Sequence, residues 1–463
     1  MKTKHIQHLY RRIGFGILPA TLNKLSKKSE KAIINELFKA SKQFIPLEVD
    51  TSEIKAIYKS AFMKGEKLDA ETRRKVQKLS RMKQLELNVA WIERLANSQD
   101  VLREKMTLFW ANHFVCEDNS ITYIQQFNNT LRKHALGDFK AFVNAVSKEA
   151  AMTKYLNTKQ NKKQRPNENF ARELMELFTL GVGNYSEADI KESARAFTGY
   201  SHNLQGDFVF RKRAHDQGEK TFFGKTGSFS GEDIIDIILE QKQCAKYICG
   251  KIYRYFVNDL IDENHVNEMA NVFYKDYNIE NVMRYMLTSG WFYNDQNIGS
   301  KIKSPIEFIV GLKTIVPTDF KNPKQLLYIQ KLLGQILLNP PNVAGWKGGK
   351  SWIDSNTIVL RLKLPSLLLN NAYISKEKLG EVDEYAQAKK EAFKKKYGKR
   401  FKTVANWEYF NTQFKNVAIS DFQKHVLACE VSESAKAYLQ SLEKVSKKEY
   451  CVQLMSLPEY QMC

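Results

Sequence analysis

Long apolar runs are missing from this 463-residue chain. No stretch of about 18 apolar residues occurs, so no membrane-spanning helix is expected. The stretch Met1–Arg12 is basic, but no apolar segment follows it, so a signal peptide of the usual form is not expected. Cysteine is sparse: six residues, at 116, 244, 249, 429, 451 and 463, contain no Cys-x-x-Cys pair and no dense framework. Reduced thiols in a cytoplasm follow from this. A periplasmic or secreted chain trimmed of its leader would read the same way.

The common catalytic signatures are missing too. There is no His-Glu-x-x-His or Glu-x-x-His to hold a metal and no Gly-x-Ser-x-Gly nucleophile elbow. Helix-turn-helix, zinc-finger and aromatic-strand motifs of nucleic-acid readers are also lacking. Gly348–Ser351 is not a phosphate loop, because Ala344 stands where a Walker loop needs glycine and Pro340-Pro341 precede it instead of a buried strand. No cofactor or metal is expected. Proline is scarce, with ten in all and none between Pro166 and Pro305, which leaves room for long helices.

What is present is helical period. Val76, Leu79, Met82, Leu85, Val89, Ile92 and Leu95 recur every three or four residues and predict a helix over about 70–97. A second begins near Val101 and turns Leu102, Met106, Phe109 and Trp110 inward. Ser186 with Asp189, and Ser230 with Asp233, read as capping boxes, the second opening a helix that runs toward Val257. Asp207–Arg213 alternates, His215–Gly218 can turn and Lys220–Gly224 can return, which predicts a small hairpin over 207–224. The expected fold is mainly α, multi-helical, with that hairpin inserted. A main domain over 1–370 is expected to carry the Pro/Gly/Trp loop of 340–352, and a Lys-rich helical lobe to follow over 371–463.

Lys and Arg outnumber Asp and Glu by 72 to 51, a formal charge of +21. Such an excess favours polyanions: acidic polysaccharide, nucleic acid or an anionic surface. It is spread along the chain, and its densest run, Lys389–Lys402, also reads as a solvated helix and turn.

The stretch Arg165–Gly181 separates into two faces at about 100° per residue. Phe170, Ala171, Leu174, Met175, Leu177 and Phe178 fall on one side, and Glu168, Asn169, Arg172, Glu173 and Glu176 on the other. Pro166 and Asn167 supply a helix start and Gly181 a stop. By composition the polar arc reads first as a solvated i,i+4 surface, with a site as the alternative. His215 beside Asp216, with Lys220 past the turn, reads either as acid–base chemistry or as a hairpin hydrogen-bond network. His113 reads most simply as a packed, hydrogen-bonded histidine.

These blocks in this order resemble one family, the widespread bacterial group known as domain of unknown function 1800. The resemblance runs from His8–Gly16 through Leu102–Phe114, Asn167–Gly181 with Ala194–Gly199, His215–Lys220 and Lys303–Pro305 to Pro340–Trp346 and Leu457–Gln461. It implies frequent export and a frequent neighbour resembling alkaline-phosphatase and sulfatase enzymes, and it implies no activity. Glu149–Met152 departs from the family's usual Asp-Pro-Ala-Met. The chain is thus expected to line a polar cleft with two groups of residues. In the first are Glu168, Arg172, Glu173, Glu176, His215 and Asp216. In the second are Asn112, His113, Asn167, Asn169, Arg195, Lys220, Asn342, Trp346 and Trp352. Two functions stay open: a basic accessory protein binding an anionic polymer or a phosphatase-like partner, and a hydrolase using Glu and His on an ester or glycoside. Non-specific nucleic-acid binding is a further alternative.

Overall fold

The computed structural model describes residues 1–63, 67–369, 401–442 and 445–463. The Lys389–Lys402 run therefore lies, up to residue 400, outside the described residues. Helix dominates, at 62%, and the only sheets among the described residues are two-stranded.

The helices that position the site are α1 (Thr3–Arg12), α2 (Ala70–Asn97), α3 (Val101–Ala111), α4 (Ile121–His134), α5 (Phe139–Lys148) and α6 (Ala150–Tyr155). They are followed by α7 (Asn169–Glu173), α8 (Glu187–Ala196), α9 (Gly231–Leu239), α10 (Lys242–Phe256), α11 (Pro305–Ile315) and α12 (Ser355–Leu368). Local chemistry sets many of their ends. Asp69 accepts from Thr72 N at 2.7 Å to start α2. Ser186–Asp189 and Ser230–Asp233 are the capping boxes that open α8 and α9.

The 70–97 helix has the predicted extent but not the predicted face. Val76, Ile92 and Leu95 are buried, as are Leu87, Asn88 and Trp91, whereas Met82 is exposed. The helix is packed by α4, by α11 and by the Pro323–Leu333 helix, so no single stripe describes it. Asn88 exchanges hydrogen bonds with Gln330 in that interface. The helix expected to run from Ser230 toward Val257 is instead two helices, broken between Leu239 and Lys242.

Short strands pair locally. β1 (Tyr200–His202) pairs antiparallel with β2 (Phe208–Phe210), and β3 (Lys220–Phe222) with β4 (Lys225–Gly227). The 207–213 strand therefore does not return on 220–224. A tighter turn wins: Asn203 and Asp207 exchange hydrogen bonds across Gly206, which sits at φ +96°. A third pair, β5 (Thr318–Phe320) with β6 (Thr403–Ala405), ties the carboxy-terminal segment to the helices before it.

An aromatic core holds α3 against α5 and the end of the 169–179 segment. Trp110, Phe114, Phe142 and Phe178 pack at centroid distances of 4.9–5.6 Å. Beside it, the buried Glu104 carboxylate accepts from Arg132 Nε at 2.6 Å and from Trp91 Nε1 at 3.2 Å.

Candidate functional site

The Asn167–Gly181 block starts as predicted and then changes winding. Asn167 Oδ1 accepts from Asn169 N at 3.1 Å, and α7 follows. Leu174–Thr179 continues as a π-helix, with Leu180 N reaching Met175 O at 2.8 Å. Wide π turns leave carbonyls short of their usual partners, and side chains supply them. Tyr247 Oη donates to Glu176 O and Leu177 O, Lys251 Nζ to Leu177 O at 2.9 Å, and His113 Nε2 to Phe178 O at 3.0 Å.

That bond fixes the His113 proton on Nε2, leaving Nδ1 to accept from Lys251 at 3.3 Å. Burial, then the charge of Lys251, holds His113 well below the ordinary imidazole range. Burial, then Arg254, pushes Lys251 down to about 8. In this structure His113 is part of the clamp on the π segment.

The polar arc of the same segment is half-exposed. Arg172 meets Glu187 of α8 with two 2.9 Å bonds and Glu168 at 3.3 Å. Glu176 accepts from Tyr185 Oη at 2.7 Å. Glu173 is raised above the usual carboxyl range, by burial first and then by Glu176.

His215–Lys220 forms a separate set. Asp216 receives Arg195 Nε at 2.8 Å and Nη2 at 3.3 Å, and the first of these bonds holds its carboxyl low. Arg195 also binds Glu192 at 2.8 Å. Lys220, buried and lowered by that burial, donates to the carbonyls of Asp216 and Gly218 at 2.8 and 2.9 Å. His215 donates Nδ1–H to Thr198 O at 2.9 Å, so its Nε2 carries the lone pair.

The 342–352 loop forms the last set. Asn112 receives Trp346 N at 2.7 Å and donates to Trp346 O at 3.1 Å. Gly345, at φ +77°, is required here, since a Cβ would lie 2.3 Å from Asn112 Oδ1. Trp346 and Trp352 are buried, while Asn342 is exposed and accepts from Ala344 N.

Two open hollows that share Lys212 and Arg213 lie side by side and together make up a groove: one is lined by Lys163, His215, Asp216 and Gln217, the other by residues of 159–164, 199–200 and 210–214. Lys163 N donates to Ala214 O at 2.8 Å between the two segments. Six cations line the groove: Lys159, Lys162, Lys163, Arg211, Lys212 and Arg213. None makes an ion pair with a described residue, and the one lining carboxylate, Asp216, is already committed to Arg195. Lys159 lies 3.3 Å from His202 Nε2, and burial, then Lys159, pushes that imidazole down to about 4. These cations were not among the residues singled out from sequence. The two clusters lie about fifty residues apart, and only the fold brings them face to face.

The family model described as a protein of unknown function, DUF1800, matches residues 8–462. The chain belongs to this family. No curated protein and no solved structure matches it. In this DUF1800 member the signature blocks that resemble the family hold the backbone together at three places: Asn112 on the 345–346 turn, His113 on the π segment, and Lys220 on its own turn. Among the described residues no three His, Cys, Asp or Glu side chains gather as metal ligands, and no helix is long and apolar enough to cross a membrane.

Proposed function

We propose that this DUF1800 protein is a basic accessory protein that binds an anionic polymer along the groove between residues 159–164 and 210–217. The observation that carries the reading is six cations gathered along one open groove, none with an ion pair among the described residues, and a single lining carboxylate that is paired with Arg195. Like charges held together in a concave surface focus potential and concentrate counter-ions. A polymer of phosphate, sulfate or carboxylate groups releases its own counter-ions on replacing them. The phosphatase- or sulfatase-like partner rests on family resemblance alone. The hydrolase reading needs Glu168, Glu173 or Glu176 beside His215, and these side chains share no hydrogen bond with it.

The test is binding to heparin, polyphosphate and single-stranded DNA across a salt series. Six contacts predict a log–log salt slope of about −4, taking ~0.7 per contact on a single strand. Replacing Lys162, Lys163, Lys212 and Arg213 by Gln should weaken binding at least tenfold. The same change at the exposed Lys24, Lys27, Lys31 and Lys39 should leave it within about twofold. Equal losses from both variants would mean that net charge, and not the groove, does the binding.

A further inference from the structure

Far from the groove, three of the sequence blocks that carry the family resemblance meet: Arg11–Gly16 at the end of α1, Lys303–Pro305 at the start of α11, and Tyr460–Gln461. The junction is rich in buried positive charge. Arg12, Lys105, Lys301, Lys303 and Arg361 are all buried. Two carboxylates answer them: Glu307 pairs with Lys105, and Asp259 with Lys301. Arg12, Lys303 and Arg361 pair with no carboxylate among the described residues. Burial without a counter-charge is costly, and it pushes Lys303 down to about 7 and Arg361 to about 10.

A small, partly open cavity lies against Lys303, with a free volume of about 20 Å³. Its apolar walls include Phe15, Ile17, Ile315, Phe414 and Val426. The polar side chains around it are mostly donors. Tyr460 is 1% exposed, and among the described residues neither its Oη nor His425 Nδ1 has a hydrogen-bond partner. Lys303 Nζ lies over the Tyr460 ring, 3.6 Å from its centroid, and donates one hydrogen bond, to Tyr460 O at 2.7 Å, which leaves two protons without a hydrogen-bond acceptor among the described residues. Arg11 donates through Nη2 to the Lys424 and His425 carbonyls. The only Asp or Glu in the lining, Glu307, has one oxygen on Lys105 and the other on Ser304 N, and Cys463 also lines the cavity.

We propose that this cavity binds a single monatomic anion of chloride size, between the Lys303 ammonium, the Arg11 guanidinium and the Tyr460 hydroxyl. Free volume of this order admits one water or one ion and no tetrahedral oxyanion. A water there would offer two protons to a lining whose one Asp or Glu is already engaged. An anion uses the donors as they stand and answers part of the unpaired charge. The bound ion would join the end of α1 to the start of α11 and to Tyr460, tying together residues distant in sequence. This inference is independent of the polymer reading, since none of its residues lines the groove.

The test holds ionic strength constant while gluconate is exchanged for chloride or bromide, and follows the thermal midpoint. A saturable rise with either halide is expected, with none for sulfate beyond the gluconate baseline. Lys303→Met and Tyr460→Phe should abolish the rise. Gly311→Ala should do the same with every charge intact, because its Cβ would enter the cavity wall 3.7 Å from Tyr460 Oη. Should these variants fold poorly, bromide-soaked crystals of the unaltered protein decide: an anomalous peak between Lys303 and Tyr460 is expected. A midpoint that follows ionic strength whatever the anion, or saturating bromide with no peak in the cavity, would overturn the proposal. Equal stabilisation by sulfate would overturn it as well.

Discussion

Glu149 stands between α5 and α6 as a buried carboxyl without a cation. Its Oε1 accepts from the Thr130 hydroxyl, and its Oε2 is buried with no partner. Burial pushes it up to about 7 from an ordinary 4.5, with the Thr130 bond opposing. Below 4.5 both folded and unfolded chains hold the proton, so the group adds no pH dependence. Between 4.5 and 7 the folded state keeps a proton that the unfolded state has lost, and stability falls as pH rises. Above 7 both states are ionised and the full cost is present. A shift of about 2.5 units at ~1.36 kcal/mol each amounts to roughly 3 kcal/mol. Glu149→Gln removes the titration and keeps an acceptor for Thr130, but places an amide N–H₂ where Oε2 was unpartnered. That group costs ~1–3 kcal/mol at every pH. The variant should therefore match or exceed the parent at pH 8 and fall below it at pH 5. The difference between the two pH values, about 2.5 kcal/mol because the unfolded carboxyl is already mostly ionised at pH 5, does not depend on the amide cost. Urea unfolding of both proteins at pH 5, 6, 7 and 8 measures it. A variant-minus-parent difference constant to within about 0.5 kcal/mol from pH 5 to 8 would refute the reasoning.

Three further outcomes follow from the same geometry. Arg132→Ala strands the fully buried Glu104 and should cost ~3–5 kcal/mol in urea unfolding, whereas Arg172→Ala, on half-exposed pairs, should cost under about 1 kcal/mol; comparable losses would contradict the burial assigned to each. Gly345→Ala should destabilise by roughly 1–3 kcal/mol and shift tryptophan emission to the red as Trp346 leaves its site, and an unchanged spectrum would show that the Asn112 clamp does not hold the loop. His113 should stay neutral with its proton on Nε2 from pH 8 down to pH 5, so a nitrogen chemical-shift titration inside that window would break the assignment.

The fold class was legible in the sequence because capping and periodicity are local. Asp69, Ser186 and Ser230 each bond within three residues of themselves, so their helices could be placed from spacing alone. The partners of a long helix are not local, which is why α2 had the right ends and a shifted face. The hairpin was misjudged for a related reason: alternation identified Phe208–Phe210 as a strand, but its partner was chosen by the Asn203–Asp207 turn. Of the residues singled out for a site, His215 and Asp216 border the groove, and the acidic arc of α7 lies on α8 through Arg172 and Glu187. The groove itself was hidden, because Lys159–Lys163 and Arg211–Arg213 lie about fifty residues apart and only the fold brings them together.

The π winding of Leu174–Thr179 makes the number of residues in that segment a structural quantity in its own right. Removing one residue would let the turn relax to α geometry, advancing everything after it by about 100° around the axis and 1.5 Å along it. The carbonyls of 176–178 would then face away from Tyr247, Lys251 and His113, and Gly181 would lose its seat beside the Tyr247 ring. Composition would barely change, and regular α-helix would be gained on paper. A one-residue deletion here is therefore a sharper perturbation than most substitutions, since it unfastens α3 and α10 from the segment without altering a single side chain that holds them.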